Sequence, residues 1–272
     1  MRLAFLAVAL CAATLGSLPA SAGGLDKLYI LDCGGLSAPD QSRWSPGVNV
    51  GVPIELSDNC YLLHHTQGWF LWETGLADAV AANPEGVKVE NANGKFVLKR
   101  TKTLAVQLDQ LGLKPADIKV MAVSHTHPDH IGNVELFPEA MLYVQKAEYE
   151  WPGALGVPRF NPNHPVTKLE GDHDMLGDGS IVIISTPGHT PGHQSLLVRL
   201  PKTGVVVLSG DAVHFKDNWD NRRVPVFNTS KEQSLASMER IAEIVKKESA
   251  QFWINHDKPQ SDVQKKSPEF YE

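Results

Sequence analysis

The sequence predicts a layered α/β fold that carries its chemistry at the carboxyl ends of strands. Three observations lead there. Apolar runs bounded by polar loops, at Ile118–Val123, Ile181–Ile184 and Val205–Leu208, read as buried strands. Apolar residues at helical spacing, at Leu104, Leu108 and Leu111 and again at Leu235, Met238, Ile241, Ala242 and Val245, mark amphipathic helices. Each of the three buried strands runs into a loop that supplies His or Asp, the edge at which α/β folds place ligands.

Before the fold begins there is a leader. Arg2 is followed by an apolar stretch from Leu3 to Leu15 and then by Ser17-Leu18-Pro19-Ala20-Ser21-Ala22. A charged start, a short apolar core and an A-x-A-type end make a secretory signal, with cleavage expected after Ala22. The apolar core is too short to span a bilayer as a stable helix. Cys11 follows Leu10 rather than a small residue, which argues against a lipoprotein. The expected product is a periplasmic or secreted protein, residues 23–272, folded as a single domain without stable membrane association. The formal charge of −6 becomes one unit more acidic once Arg2 is removed, which argues against a nucleic-acid partner.

Along the mature chain, Leu28–Cys33 reads as a first strand ended by Gly34-Gly35. The polar segment from Ser37 to Pro53, carrying Trp44, is long enough to suggest function. Cys60–His65 and Trp69–Glu73 form a hairpin through Thr66-Gln67-Gly68. His64 and His65 are adjacent strand residues that face opposite ways, so they do not chelate one ion. Cys33 and Cys60 are the only cysteines of the mature chain; an exported protein could join them in a disulfide, and buried free thiols are the reading taken because the sequence does not place them within bonding distance. A polar stretch from Asn83 to Lys99 follows, with a turn at Asn93-Gly94, and then the helix through Leu104. Met141–Val144 reads as a strand, Gln145–Trp151 as a short helix, and Trp151–Phe160 as an irregular run that, with Trp44, is a candidate pocket wall. Leu196–Val198 and Val205–Leu208 form a hairpin. Ser230 to Gln233 has the form of a capping box before the second long helix. Phe252–Asn255 is the last strand.

The densest chemistry lies in Ser124-His125-Thr126-His127-Pro128-Asp129-His130, the pattern H-x-H-x-D-H, directly after a buried strand. Pro128 removes a backbone donor and fixes φ, so this loop is expected to continue as neither strand nor helix. Neutral imidazole and carboxylate suit zinc and similar ions, and one tetrahedral ion needs only three protein ligands and a water. Four candidates this close, with more downstream, imply two ions. Later strand ends add His189 and His193, within Thr186-Pro187-Gly188-His189-Thr190-Pro191-Gly192-His193, then Asp211 and His256.

This constellation resembles the signature of the metallo-β-lactamase-fold hydrolases. The resemblance implies a four-layer αββα sandwich. It also implies a role for each residue. His125, His127 and His189 hold a first metal, Asp129, His130 and His256 a second, and Asp211 bridges them. His193 supports the site without being a ligand. Glu73, where the family has Asp in an Asp-Thr-Gly, orients a metal-bound His through one more methylene. Several branches fit less well. Zinc β-lactamases lack the bridging Asp, glyoxalase II carries a larger helical C-terminal domain than the one helix and one strand after Val224, and the tRNA-processing nucleases need a basic surface. Asp211-Ala212-Val213-His214-Phe215-Lys216-Asp217-Asn218, Val224-Pro225, Cys60-Tyr61-Leu62-Leu63, Gln145-Lys146-Ala147-Glu148-Tyr149, His256-Asp257 and Ser267-Pro268-Glu269-Phe270-Tyr271-Glu272 look like the N-acyl-homoserine lactonase family.

That resemblance implies a quorum-quenching lactonase with two divalent ions, expected to be Zn2+ and roughly 3.5–4 Å apart. A metal-held hydroxide would open a lactone or ester, with Asp129 orienting it, and a homodimer is compatible with the reading. His214 departs from the family, which has Tyr three residues after the bridging Asp. An imidazole can also donate to the carbonyl or leaving oxygen. It opens two alternatives: an exported hydrolase of aryl esters or phosphotriesters, or a non-catalytic periplasmic zinc-binding protein, which Glu73 also favours.

The leader makes a direct prediction. Mature protein from the native host is expected to begin at or near Gly23 and to fractionate with periplasm or medium; N-terminal sequencing that finds intact Met1 on cytosolic protein would refute it.

Overall fold

A computed structural model describes residues 24–91, 94–153 and 161–272. Residues 1–23, where a leader is expected, Asn93 of the expected turn and residues 154–160 of the candidate wall lie outside the described residues. The first sheet contains β1 (Leu25–Ala38), β2 (Ile54–His65), β3 (Gly68–Trp72), β4 (Val87–Asn91), β5 (Gly94–Lys99), β6 (Ile118–Ala122), β7 (Met141–Gln145) and β8 (Val166–Leu169), in the order β4-β5-β1-β2-β3-β6-β7-β8. The second contains β9 (His173–Asp174), β10 (Ile181–Ser185), β11 (Gln194–Leu200), β12 (Gly204–Leu208) and β13 (Gln251–Trp253), in the order β13-β12-β11-β10-β9. The helices are α1 (Leu104–Gln110), α2 (Pro128–Ile131), α3 (Lys146–Glu150), α4 (Lys216–Asn221), α5 (Lys231–Glu248) and α6 (Lys258–Val263).

Strand alternation builds the layers. Successive side chains point to opposite faces, and here both faces are apolar because both are covered. Leu28 and Ile30, Tyr61 and Leu63, Phe70 and Trp72 point between the sheets, where they meet Ile181 and Ile183, Leu196 and Val198, Val206 and Leu208. The intervening Leu31, Leu62 and Leu71 point outward onto Leu104 and Leu108 of α1. On the far side Ile184, Leu197 and Val207 pack under Ile241 of α5. Helix, sheet, sheet, helix is the αββα sandwich the resemblance implied. Fully burying one such Leu or Ile contributes about 1.5–3 kcal/mol, so the inter-sheet face and the layer under α1 both contribute substantially to stability.

Several local expectations change. Gly34-Gly35 does not end β1. The register against β2 shifts between Asp32 and Gly34, and Gly34 takes φ +114°. The bulge lets the strand continue to pair Gly35–Ser37 with β5. The polar stretch from Asn83 to Lys99 is largely a hairpin, β4 and β5, on the sheet's edge, where a polar strand is tolerated. Pro128 does not exclude a helix. It opens the single turn α2, because the first-turn N–H would lack a helical partner anyway and proline's φ is already helical. The short helix α6 follows β13, one element more than read after Val224. Ser230 caps α5, its hydroxyl accepting from the Gln233 N–H at 3.2 Å.

Cys33 and Cys60 are not free thiols. They form a disulfide, with Cα atoms 5.7 Å apart across the neighbouring strands β1 and β2. The pairing depends on strand register at the bulge, which spacing in the sequence does not encode. Closing a loop of sequence separation 27 stabilises by about 3–4 kcal/mol through the unfolded chain. The mature chain, unfolded without reductant, is therefore expected to show no reactive thiol and to show both after reduction. Two thiols before reduction would remove the cross-link.

Candidate metal centre

Topology brings the site together. Strands β3, β6, β7 and β8 run parallel, so Glu73 and the H-x-H-x-D-H loop leave the same edge of the first sheet. In the second sheet β10 and β12 are both antiparallel to β11, and β13 is parallel to β12. Their carboxyl ends therefore share one edge too, and His189, Asp211 and His256 follow them.

Two groups of potential metal-binding side chains converge there. The first is His125, His127, His189 and Asp211, and the second is Asp129, His130 and His256. In the first group His125 Nε2 and His127 Nδ1 lie 2.8 Å apart, and His189 Nε2 is 3.1 and 3.0 Å from them. Asp211 faces both groups. Its Oδ2 is 3.3 Å from His189 Nε2 and 3.7 Å from His125 Nε2, while its Oδ1 is 3.0 Å from His256 Nε2 and 3.3 Å from His130 Nε2.

Four of the imidazoles are aimed by the ring nitrogen that faces away from the centre. Ser124 Oγ lies 2.9 Å from His125 Nδ1. His189 Nδ1–H donates to Asn228 Oδ1 at 2.9 Å, and His256 Nδ1–H to the Ser57 carbonyl at 2.6 Å. Glu73 Oε2 stands 3.3 Å from His130 Nδ1 and the Glu73 carboxylate also accepts the Ser124 N–H, so the longer side chain does the orienting work expected of Asp. Glu73 has φ +68°, rare for a residue with a Cβ and typical of strain kept at functional sites. Gly210, at φ +52°, lets Asp211 approach closely. A Cβ there would lie 2.5 Å from Ser124 Cβ and 2.7 Å from His193 Nε2.

His193 is not in either group. Its Nδ1–H donates to the Thr186 carbonyl at 3.0 Å, leaving Nε2 to accept the Asp211 N–H at 2.8 Å. Burial pushes its pKa down to about 3, consistent with this neutral, accepting role. His64 and His65 stay outside the centre and pair with Asp26 and Asp178 at 2.6 and 2.9 Å.

The electrostatics divide around Asp211. Burial holds His125 well below the ordinary imidazole range, with His130 and His127 adding to it, and burial does the same to His189. Burial also opposes charge on His130, yet Asp211 and Glu73 raise it well above the usual value. Against the same burial, Asp211 raises His256 to about 9. Burial would likewise raise Asp211, but the surrounding imidazoles, His256 and His130 first, hold it well below the usual carboxylate range.

The fit to metal is physical. Three imidazole nitrogens within 3.1 Å of one another direct lone pairs at a common point. His130 Nε2 and Asp211 Oδ1 are buried without a hydrogen-bond partner. Such groups are costly unless a cation meets them. Nitrogen and carboxylate donors with distal nitrogens anchored suit a divalent ion.

His214 lies beside this centre. It is 3% exposed, its Nε2 is 3.2 Å from Asp211 Oδ2, and its ring stacks on His256 at 5.5 Å. Its Nδ1 is buried without a partner. Phe227 packs edge-on against both His189 and His214, and Trp44 stands 6.4 Å from His214 and 6.1 Å from Phe227. Trp44 is thus part of a wall, held by its carbonyl, which accepts from Asn218 Nδ2 at 3.0 Å. Trp151 lies 6.1 Å from His127 on another side.

Sequence reasoning missed four supports. Glu148 accepts the Thr126 N–H and, through its other oxygen, the Gly192 N–H, joining the two His-bearing loops. Asp58 accepts from the Leu76 N–H and Asn255 Nδ2, tying the segment after Glu73 to the turn before His256. Asn228 and Asn255 complete the set. None has a spacing signal, since their partners are far away in the chain.

A family model described as the metallo-beta-lactamase superfamily matches residues 54–246. An N-acyl homoserine lactonase of Bacillus sp. is 33% identical over 256 residues, covering 90% of this chain and 98% of that protein. The N-acyl homoserine lactonase AttM of Rhizobium radiobacter is 32% identical over 262 residues, with the same coverage. Among solved structures, an N-acyl homoserine lactone hydrolase with the product N-hexanoyl-L-homoserine bound at its catalytic metal centre superposes with a TM-score of 0.80 at 30% identity, covering 91% of this chain and 99% of that one. With a matching sandwich, a matching edge and a cluster built for divalent metal, the chain belongs to the metallo-beta-lactamase superfamily and, within it, to the N-acyl homoserine lactonase family of metal-dependent hydrolases.

Proposed function

We propose that this protein is an exported lactonase that opens the ring of N-acyl-homoserine lactones with two divalent ions, Zn2+ by the chemistry of the donors, and so acts in quorum quenching. The observation that carries the reading is Asp211, one oxygen toward His189 and His125 and the other toward His256 and His130. In this reading His125, His127 and His189 would hold one ion, Asp129, His130 and His256 the other, and Asp211 would serve both. Bound divalent ions supply Lewis acidity and a water that ionises near neutral pH.

The protein's own groups do the rest. Glu73, Asn228 and Ser57 keep three rings aimed, so the centre needs little reorganisation as charge develops. His193 fixes the backbone of Asp211. Asp129, half-buried at the centre's edge, orients the attacking water and accepts its proton. Attack on the lactone carbonyl carbon breaks the ring C–O bond, and the ring oxygen leaves as a hydroxyl, taking the proton that Asp129 accepted. His214 donates an N–H to the carbonyl or leaving oxygen, where the family has a Tyr hydroxyl. Burial lowers its pKa, so the imidazole is neutral at pH 7. Phe227 and Trp151 offer apolar surface for the acyl tail, with the buried Trp44 packed behind Phe227.

Residues 23–272 are read as one domain. The Cys33–Cys60 disulfide supports an oxidising compartment outside the cytoplasm.

Two measurements test the function. Metal analysis is expected to find about two ions per chain, with His127→Ala and Asp211→Ala each losing occupancy and abolishing turnover. Full activity in a metal-free preparation would refute the mechanism. For His214→Ala, both ions are expected to stay while kcat falls about 100- to 1,000-fold; His214→Tyr is expected to keep activity. The assay is a panel of N-acyl-homoserine lactones, other lactones, aryl esters and phosphotriesters. Preference for the last two classes would overturn the assigned substrate while leaving the hydrolase, an unchanged kcat in the Ala variant would remove His214 from the reaction, and loss of metal would make it a ligand.

A further inference from the structure

Two buried carboxylates outside the ligand set divide the centre between them. Glu148, on α3, is fully buried, and Asp58, on β2, is 2% exposed. Neither belongs to a group of metal-facing side chains. A carboxylate stripped of water needs its lone pairs met, so the donors gathered around each one show what it holds.

Glu148 spans the first group. Its Oε1 accepts the Thr126 N–H at 2.8 Å and the Thr126 hydroxyl at 2.6 Å, and Thr126 stands between His125 and His127. Its Oε2 accepts the Gly192 N–H at 3.1 Å. Gly192 belongs to the closed loop that carries His189, in which the Thr186 N–H donates to the His193 carbonyl at 2.9 Å and the Gly188 N–H to the Thr190 carbonyl at 3.0 Å. A Cβ at Gly192 would overlap the Glu148 backbone nitrogen, so only glycine lets this loop reach the carboxylate. One side chain thus sets the spacing between the two loops that supply all three first-group imidazoles.

Asp58 spans the second group. Its Oδ2 accepts the Leu76 N–H at 3.0 Å, and its Oδ1 accepts from Asn255 Nδ2 at 3.3 Å. The segment ending at Leu76 grips the turn of Asp129 and His130. Both the Thr74 N–H and the Thr74 hydroxyl donate to the His130 carbonyl at 2.9 Å, and the Gly132 N–H donates to the Gly75 carbonyl at 2.9 Å. Asn255 directly precedes His256, and its carbonyl accepts from Ser57 Oγ at 2.9 Å and Asn59 Nδ2 at 3.1 Å. Asp58 therefore fixes the holder of His130 against the holder of His256. Glu73 differs from both, since it touches His130 and, through the Ser124 N–H, the loop of His125 as well.

We propose that Glu148 and Asp58 are positioning residues that act on separate ions, Glu148 setting the affinity of the first group for its ion and Asp58 that of the second. The proposal rests on the two-ion reading above. Its physical basis is that ligand atoms from distant loops bind an ion tightly only when their spacing is fixed beforehand. Neutral isosteres expose the effect. An amide has one acceptor oxygen and one NH2 where the carboxylate has two acceptors, so Glu148→Gln turns a donor toward either Thr126 or Gly192, and Asp58→Asn toward either Leu76 or Asn255.

Zinc affinity of the mature chain, measured by competition with a chromophoric chelator, tests this in two backgrounds. His256→Ala leaves the first group to report, and His127→Ala leaves the second. Glu148→Gln is expected to weaken zinc binding about 10- to 100-fold in the first background and to leave the second at its background value, and Asp58→Asn to do the reverse. Thr126→Val and Asn255→Ala each remove one bond from a carboxylate without replacing it. They are expected to show the same selectivity at smaller size, and they carry the test if an isostere fails to fold. Equal weakening in both backgrounds would overturn the proposal, since a carboxylate that only stabilises the fold does not choose between ions. Unchanged affinity in both would overturn it too. A wild-type chain that takes up about one zinc rather than two would overturn the two-ion reading and the proposal with it, whereas two ions with unselective losses would overturn the proposal alone.

Discussion

The structure depends on keeping nitrogen and oxygen lone pairs pointed at one another in a water-poor site. Asp211 sits at the middle, with five imidazole nitrogens, of His125, His130, His189, His214 and His256, within 3.7 Å of its oxygens. Such an arrangement is costly alone, because burial strips water from a carboxylate and from the imidazoles that it draws toward their charged form. It holds because the far side of four rings is fastened, to Ser124, Glu73, Asn228 and Ser57, and a divalent ion on the near side would lower the cost further. The buried supports are therefore as much a part of the centre as the ligands.

The sandwich is what allows those supports to be rigid. Anchors come from both sheets: Glu73 and Ser57 from the first, Asn228 from the loop before α5 over the second. Glu148 and Asp58 then join loops that belong to different strands. Relative sliding of the sheets would disturb several ligands together, and the apolar face between them resists it because interiors close-packed with side chains have two arrangements or one, not a continuum. The disulfide adds a covalent tie on the β1–β2 side, next to the segment that carries Glu73: the Leu76 N–H donates to the Cys33 carbonyl.

The walls around the centre follow a different logic from the centre itself. Trp44 and Phe227 come from loops rather than strands, and they are joined through the Val226 N–H, which donates to the Arg43 carbonyl at 3.2 Å. Loops on a rigid scaffold can vary what the site admits while the ligands stay fixed. His214 stands at the junction, touching both Asp211 and the aromatic wall.

By itself the sequence determined the buried strands that lead into the site, the order of the ligands along the chain and the chemistry they share. Those features are local: a run of Ile and Val followed by H-x-H-x-D-H needs no partner to be recognised, and period-2 and period-3.6 patterns record burial directly. It also excluded His64 and His65, because adjacent strand residues face apart. Tertiary structure alone decided that Cys33 meets Cys60, that polar residues 83–99 form an edge hairpin, that Asp58, Glu148, Asn228 and Asn255 hold the centre, and that Trp44 lies beside His214. Each of these rests on contacts between residues far apart in the chain, whose register and approach are set by the packing of the two sheets. Pro128 shows the same boundary at short range: its effect on the chain depends on whether a helix starts there, and the fold, not the residue, supplied that start.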